Sequence, residues 1–267
     1  MKCRIGVVQM KTTTDKEENL LRAKAAITQA AKQGATLVIL PEMFCVPYDT
    51  ALFHKYAEEK GGEAQQMLSK AALESHVYLI GGSICERDPQ GNLYNTSYVY
   101  DSEGVCIAKH RKYHLFDIAI KNGVTFRESD VLSAGEKYTV FDTPWGKIGL
   151  GICFDIRFSD MARAMVAQGA NMLVYPAAFN KSTGPLHWEL LFRARAMDGQ
   201  CFAIGVAPAR QEDASYVSWA HSMVVNPWGK VLFDGGIDEK VTVVEIDLAE
   251  IAQVREQIPL GWEGAKA

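Results

Sequence analysis

TVFDTPWGKIGLGICF, residues 139–154, holds two β-type runs about the turn Thr143-Pro144-Trp145-Gly146, and the second run ends on a cysteine, Cys153. Helical spacing follows at once over 159–168, and then another apolar run, NMLVYPAAF (171–179). The hairpin pairs antiparallel, whereas strand, helix and strand in series pair parallel, so the sheet they build is mixed. The unit recurs as a helix over 187–199 running into CFAIGVAPA (201–209). Upstream, CRIGVVQM (3–10) and ATLVILPE (35–42) read as buried strands around a helix from Asp15, as cap, to Gln33, with Gly34 as stop. A helix over 63–75 leads into the strand VYLIGGSICER (77–87), and 92–101 forms a hairpin with 105–110 about Ser102-Glu103-Gly104. SMVVNPWGKVLFDGG (222–236) and KVTVVEIDL (240–248) add strand hairpins, and a short helix over 248–255 follows. No linker, repeat or low-complexity run divides the 267 residues, so one α/β domain over 1–267 is expected, with helix layers outside two stacked mixed sheets.

Composition excludes several classes of protein. Hydrophobic residues make up 48% and charged residues 22%, an ordinary globular balance. The 28 basic and 32 acidic residues leave a formal charge of −4, with no footprint for nucleic acid or a membrane surface. No run approaches the roughly 20 apolar residues of a membrane span. The opening MKCRIGVVQM has too short an apolar patch for a signal peptide and reads as a first strand, so a cytoplasmic protein is expected. Neighbours among the six cysteines are never closer than Cys85 and Cys106, with no CxxC or Cys/His cluster. Neither a metal site nor a disulfide framework is expected, and most of these thiols read as small buried hydrophobes.

Three polar residues stand at strand ends, where ligands collect in α/β proteins: Glu42 after LVILP, Lys112 after VCIAKHR, and Cys153 after KIGLGI. Singly, each has a plain alternative: a loop cap, a solvated lysine in KHRKYH, a core thiol. Together they make a chemical set. A thiol is poorly ionised at neutral pH and needs a base or a positive neighbour to attack a carbonyl carbon. Glu42 can take the thiol proton and return it to a leaving amine. Lys112 and the backbone N–H of Phe154 can stabilise a thiolate and an oxyanion. The reaction class is acyl transfer from a C–N bond to sulfur, then hydrolysis.

LPE around Glu42, HRKYHLF around Lys112 and GICFDIRF around Cys153, in this order from residue 3 to about 258, resemble the nitrilase superfamily of carbon–nitrogen hydrolases. The resemblance implies a Glu42–Lys112–Cys153 triad on a four-layer αββα sandwich, without metal or cofactor, in a homo-oligomer of two or more chains. KYHLFDI (112–118), TFRES (125–129), YPAAFNKSTGPLHWELL (175–191), ARAMDGQ (194–200), ASYVSWAHS (214–222) and NPWGKV (226–231) are similar to the omega-amidase branch. That branch implies a small-molecule substrate, an omega-amido dicarboxylate such as 2-oxoglutaramate or 2-oxosuccinamate. Glu128 matches the superfamily's second glutamate, with a surface carboxylate on a lid loop as the alternative reading. The lid is expected over 114–128 with Gly123 as its flexible point.

Tyr48 offers a hydroxyl to the substrate, and Arg157, Lys181 or Tyr48 are candidates for its far carboxylate. Arg157 more readily reads as the partner of Asp155 or of a helix acid, bracing the nucleophile turn. Ala178 and Phe179, in AAFNKSTG, fit a pocket floor, and His187, beside Trp188 at a helix start, reads as a structural hydrogen-bonding residue. The tail PLGWEGAKA and Asp49 in CVPYDT depart from the family pattern. Other functions kept open are a deaminated glutathione amidase, an N-carbamoyl amino acid hydrolase, a true nitrilase, or a non-catalytic scaffold of the same fold.

Overall fold

The computed structural model describes residues 1–121 and 125–262. The first half of the chain runs β1 (Lys2–Gln9), α1 (Lys16–Lys32), β2 (Leu37–Ile39), α2 (Thr50–Tyr56), α3 (Glu63–Ser75), β3 (Tyr78–Ile80), β4 (Ile84–Arg87), β5 (Leu93–Tyr100), β6 (Cys106–Arg111), β7 (Asp117–Ala119) and β8 (Thr125–Arg127). The second half runs β9 (Thr139–Thr143), β10 (Gly146–Leu150), α4 (Ser159–Ala167), β11 (Ala170–Pro176), α5 (Gly184–Gly199), β12 (Phe202–Val206), β13 (Met223–Val225), β14 (Val231–Asp234), β15 (Lys240–Asp247) and α6 (Ala249–Gln257).

Local chemistry explains the elements. The Asp15 carboxylate accepts the Glu18 N–H at 3.1 Å and starts α1, whose buried stripe includes Leu20, Ala23, Ile27 and Ala30. Gly6 lets this helix approach: a Cβ there would stand 2.9 Å from Ala30 Cβ. α5 begins at Gly184, a turn before the expected residue 187, because Pro185 suits the first turn, where no N–H partner exists.

The first sheet has the lateral order β15, β1, β2, β3 with β4, β5, β6, and the second the order β14, β13, β12, β11, β10, β9. VYLIGGSICER, expected as one strand, is two. β3 and β4 lie along one side of β5 with a one-residue shift between them, broken at Gly81-Gly82-Ser83. The break serves the neighbouring turn. A Cβ on Gly82 (φ +58°) would stand 2.1 Å from the Pro41 carbonyl oxygen, and Ser83 Oγ accepts the Met43 N–H at 3.0 Å. A second correction concerns KVTVVEIDL. It does not continue the C-terminal hairpins but crosses to the first sheet, pairing antiparallel with β1 from Lys2↔Asp247 to Gln9↔Lys240.

The sheets stack face to face. Ile5, Val7, Leu37, Ile39, Ile80 and Val99 of the first meet Ile148, Leu150, Met172, Val174, Ile204 and Val206 of the second in one buried cluster. A second cluster lies between the first sheet and α1 and α3, and a third between the second sheet and α4 and α5. The central strands are therefore buried on both faces, which is why they read as unbroken apolar runs. The architecture is the expected four-layer αββα sandwich. Among the described residues no helix is long and apolar enough to cross a membrane.

Candidate active site

β3 runs parallel to β2, and two antiparallel steps through β5 bring β6 into the same direction, so Glu42 and Lys112 emerge at the same end of the first sheet. β10 and β11 are parallel, so Cys153 and Ala178 emerge together from the second. Cys153 opens a 3-10 turn, Cys153–Arg157, with φ +48°, a left-handed conformation that a non-glycine residue adopts only when its surroundings hold it there. β7 and β8 form a two-stranded ribbon that ends in a second 3-10 turn, Glu128–Asp130, and delivers Glu128 to the same place. This ribbon is the structure found within the expected lid. Gly123 lies outside the described residues.

Lys112 sits between two carboxylates. Its Nζ stands 3.0 Å from Glu42 Oε1 and 2.9 Å from Glu128 Oε2, with all three side chains fully buried. The surface reading of Glu128 fails on that burial. Glu128 is held further by the Phe116 N–H at 2.6 Å and by the Tyr48 hydroxyl. Burial works against charge on Lys112, but Glu128 and Glu42 outweigh it and hold the ammonium well above its ordinary pKa. Glu42 is displaced upward, first by burial and then by the like charge of Glu128, against the pull of Lys112. Cys153 is raised well above a free thiol, by burial and by the Glu42 charge, with Lys112 and the Ala178 backbone opposing. The sulfur is therefore held as a neutral thiol beside a carboxylate whose affinity for a proton is raised. Among the described residues Glu42 Oε2 has no hydrogen-bond partner, while Oε1 is occupied by Lys112 and by Asn95 Nδ2 at 2.8 Å.

The turn that Cys153 opens is braced differently from expectation. Asp155 does not pair with Arg157. Its Oδ1 accepts the His114 N–H at 2.8 Å and faces His114 Nδ1 at 2.9 Å; its Oδ2 accepts the Ile152 N–H at 2.9 Å and faces His110 Nε2 at 3.1 Å. Arg195, from α5, holds the Ile156 and Arg157 carbonyls at 2.8 and 3.1 Å. Arg157 instead bonds His187 Nδ1 through Nη1 at 3.0 Å, and its guanidinium lies 4.8 Å from the Phe179 ring centroid and 5.6 Å from that of Phe154. Lys181 pairs with Glu212 at 2.7 Å and stays half exposed at the outer rim.

Two hollows open beside the catalytic candidates. One, of about 300 Å³, reaches Glu42 and Ala178 between Thr12–Thr14 and the 208–218 segment. The other, of about 370 Å³, lies between Phe126, Asn180 and Lys181, and Tyr48 and Tyr216 line both. The Tyr48 and Tyr216 rings sit 4.8 Å apart, and the Tyr216 hydroxyl bonds the Ala178 carbonyl.

Sequence reading missed Tyr216 and Asn95. Asn95 alone carried a signal, an amide in the middle of the buried strand LYNTSYVY; its backbone carbonyl also accepts the Lys112 N–H at 2.8 Å. Tyr216 lies in ASYVSWAHS, a stretch similar to the omega-amidase branch, but nothing there singles it out as a site residue; it arrives on the segment after β12, which runs parallel to β11 and so leaves the second sheet at the same end as Cys153 and Ala178. Among the described residues no group of three or more His, Cys, Asp or Glu is arranged to hold a metal.

The carbon-nitrogen hydrolase family model matches residues 4–256. Omega-amidase NIT2 of Mus musculus is 50% identical over 257 residues, covering 96% of this chain and 93% of the relative; the Homo sapiens protein of the same name is 48% identical with the same coverage. Among solved structures, Saccharomyces cerevisiae Nit3, a member of branch 10 of the nitrilase superfamily, superposes with a TM-score of 0.91 at 41% identity, covering 97% of this chain and 95% of that one. Its match to the family model over nearly its whole length, and its near-half identity to these relatives, make this chain a member of the carbon-nitrogen hydrolase family.

Proposed function

We propose that this protein is an omega-amidase in which Cys153 is the nucleophile, Glu42 the general base and acid, and Lys112 the oxyanion stabiliser. The enzyme hydrolyses the terminal amide of small omega-amido dicarboxylates, with 2-oxoglutaramate and 2-oxosuccinamate as substrates. The arrangement of Lys112 between Glu42 and Glu128, beside a buried neutral thiol, carries this reading.

In the reaction, Glu42 takes the thiol proton as sulfur attacks the amide carbon. The developing oxyanion is met by Lys112 and the Phe154 N–H. The C–N bond breaks as Glu42 returns the proton to nitrogen, and ammonia departs, leaving a thioester on Cys153. Glu42 then deprotonates a water, whose attack releases the acid and restores the thiol. Glu128 handles no proton in this scheme: it holds Lys112 in place and raises the basicity of Glu42 through its charge. Tyr48 fixes Glu128 and, with Ala178 and Phe179, shapes the pocket.

Arg157 anchors the substrate's far carboxylate. Its guanidinium is partly buried close to Cys153, and among the described residues its Nε has no partner and aromatic faces rather than an acid hold it. A carboxylate-bearing amide would supply the missing counter-charge.

Ammonia release from 2-oxoglutaramate tests the function, with loss expected in Cys153→Ala and Lys112→Ala at unchanged fold; full turnover by Cys153→Ala would end the reading. Iodoacetamide, itself a small amide, should label Cys153 in a reaction that substrate blocks, while the exposed Cys106 labels whether or not substrate is present; labelling of Cys153 that substrate does not slow would favour a scaffold. A panel of amides, carbamoyl compounds and nitriles separates the omega-amidase from neighbouring branches. We further infer a homo-oligomer, supported by Leu186, Leu190 and Met197 standing exposed on α5. Six free cysteines suit a reducing compartment such as the cytoplasm.

A further inference from the structure

Arg157 ends the nucleophile turn, and its guanidinium has an unusual set of neighbours. Two aromatic faces flank it; among the described residues its Nε is buried without a partner, and its one side-chain hydrogen bond runs from Nη1 to His187 Nδ1 at 3.0 Å. A guanidinium has no lone pair to offer. Nδ1 of His187 must therefore accept, which puts the imidazole in its neutral form with the proton on Nε2. Burial and the charge of Arg157 both pull His187 below its ordinary pKa, in keeping with that neutral form.

His187 itself stands on a fixed mount. It lies in the first turn of α5, where its N–H donates to the Thr183 carbonyl at 2.9 Å. The next residue, Trp188, is buried, donates its indole N–H to the His221 carbonyl at 2.7 Å and meets the Phe179 ring edge-on at 5.1 Å. α5 thus holds both the imidazole and, through Trp188, one wall of the aromatic cage around Arg157. A long, many-rotor side chain otherwise loses its aim, and a guanidinium that must be reordered at each binding event binds more weakly.

We propose that His187 is the positioning residue for Arg157, fixing the guanidinium in the orientation that receives the far carboxylate of the substrate. This rests on Arg157 being the carboxylate anchor. His187 acts only through Arg157 and touches no reacting atom, so its effect falls on recognition and not on the chemical step.

The test compares His187→Phe, which keeps a ring but removes the acceptor, with His187→Asn, whose side-chain oxygen falls close to the Nδ1 position. Arg157→Ala is the control, and the substrates are 2-oxoglutaramate and pentanamide, an unbranched amide of equal length without the carboxylate. His187→Phe should raise KM for 2-oxoglutaramate about tenfold with kcat within about twofold, the scale of one hydrogen bond to a charged group. His187→Asn should restore KM, and kcat/KM for pentanamide should not move. If Arg157→Ala raises KM and His187→Phe does not, the role of His187 is refuted while the anchor stands. If Arg157→Ala leaves KM unchanged, the anchor reading fails and the inference with it. Equal loss toward pentanamide in His187→Phe would assign the residue to the fold of the nucleophile turn and overturn the proposal.

Discussion

Replacing Asp155 by asparagine should separate the two halves of the proposed catalytic set. The Asp155 carboxylate takes four contacts, two on each oxygen, and they come from both sides of the site. Ile152 immediately precedes Cys153, while His110 and His114 flank Lys112. The charge is strongly favoured where it stands: burial opposes it, but His110, His114 and the Ile152 N–H hold the carboxyl far below its usual range. An asparagine has one acceptor oxygen, so in either orientation its NH₂ group faces a backbone N–H, that of His114 or that of Ile152. The imidazoles can change tautomer to suit; the backbone donors cannot. One buried N–H is left opposed, at a cost of about 1–3 kcal/mol, and charge-assisted bonds worth about 1.5–3 kcal/mol are lost. The sum is about 2.5–6 kcal/mol, which in a chain of this size lowers Tm by roughly 10 °C. Activity should fall further than stability accounts for, because a displacement of about 1 Å between Cys153 and Lys112 costs about 100-fold. The assay is kcat/KM for 2-oxoglutaramate at a temperature well below the variant's measured Tm. A variant that unfolds near wild-type temperature and turns over within threefold of wild type would refute the clamp.

Gly82→Ala should cost clearly more than Gly91→Ala in urea unfolding. Both glycines have positive φ, but a Cβ on Gly82 meets the Pro41 carbonyl at 2.1 Å, whereas one on Gly91 meets nothing within 4 Å. The strain alone is worth about 1–2 kcal/mol; equal losses in the two variants would show that the Pro41–Met43 turn does not depend on the gap. Glu86, held by Arg111, Thr96 and Lys109 against its burial, is pulled down to about 2 from 4.5. Its depressed carboxylate contributes stability above pH 4.5 that is lost as pH falls toward 2. The stability gap between wild type and Glu86→Gln should therefore shrink by about 1.4 kcal/mol from pH 7 to pH 3.5, and a gap independent of pH would contradict this. Leu186→Asp with Leu190→Asp should reduce the molecular mass in sedimentation to that of one chain, and an unchanged mass would place any oligomer contact elsewhere.

Much of this molecule is written locally. Apolar runs of strand length, an aspartate cap at Asp15, and helices between strands determine that the chain is α/β with mixed sheets. The order of the strands places Glu42, Lys112 and Cys153 at strand ends, because a chain that leaves a buried strand must emerge at its end whatever it packs against. Only tertiary structure decided the rest. β15 has the same alternation beside β14 as beside β1, and packing of the two sheets, not its own pattern, selects β1. Glu128 looks like a loop carboxylate until the β7–β8 ribbon folds it under Tyr48 and against Lys112. Arg157 stands two residues from Asp155, yet the turn aims that carboxylate at His110, His114 and the Ile152 N–H and leaves the guanidinium to His187, thirty residues on. Tyr216 lies in a stretch similar to the omega-amidase branch, but only the path of the segment after β12 brings its ring against Tyr48. In each case the partner is chosen by how separate elements meet in space. A side chain's charge and size can be read from the sequence, but the group that neutralises or orients it is set by the packing of the sheets and the path of the loops between them.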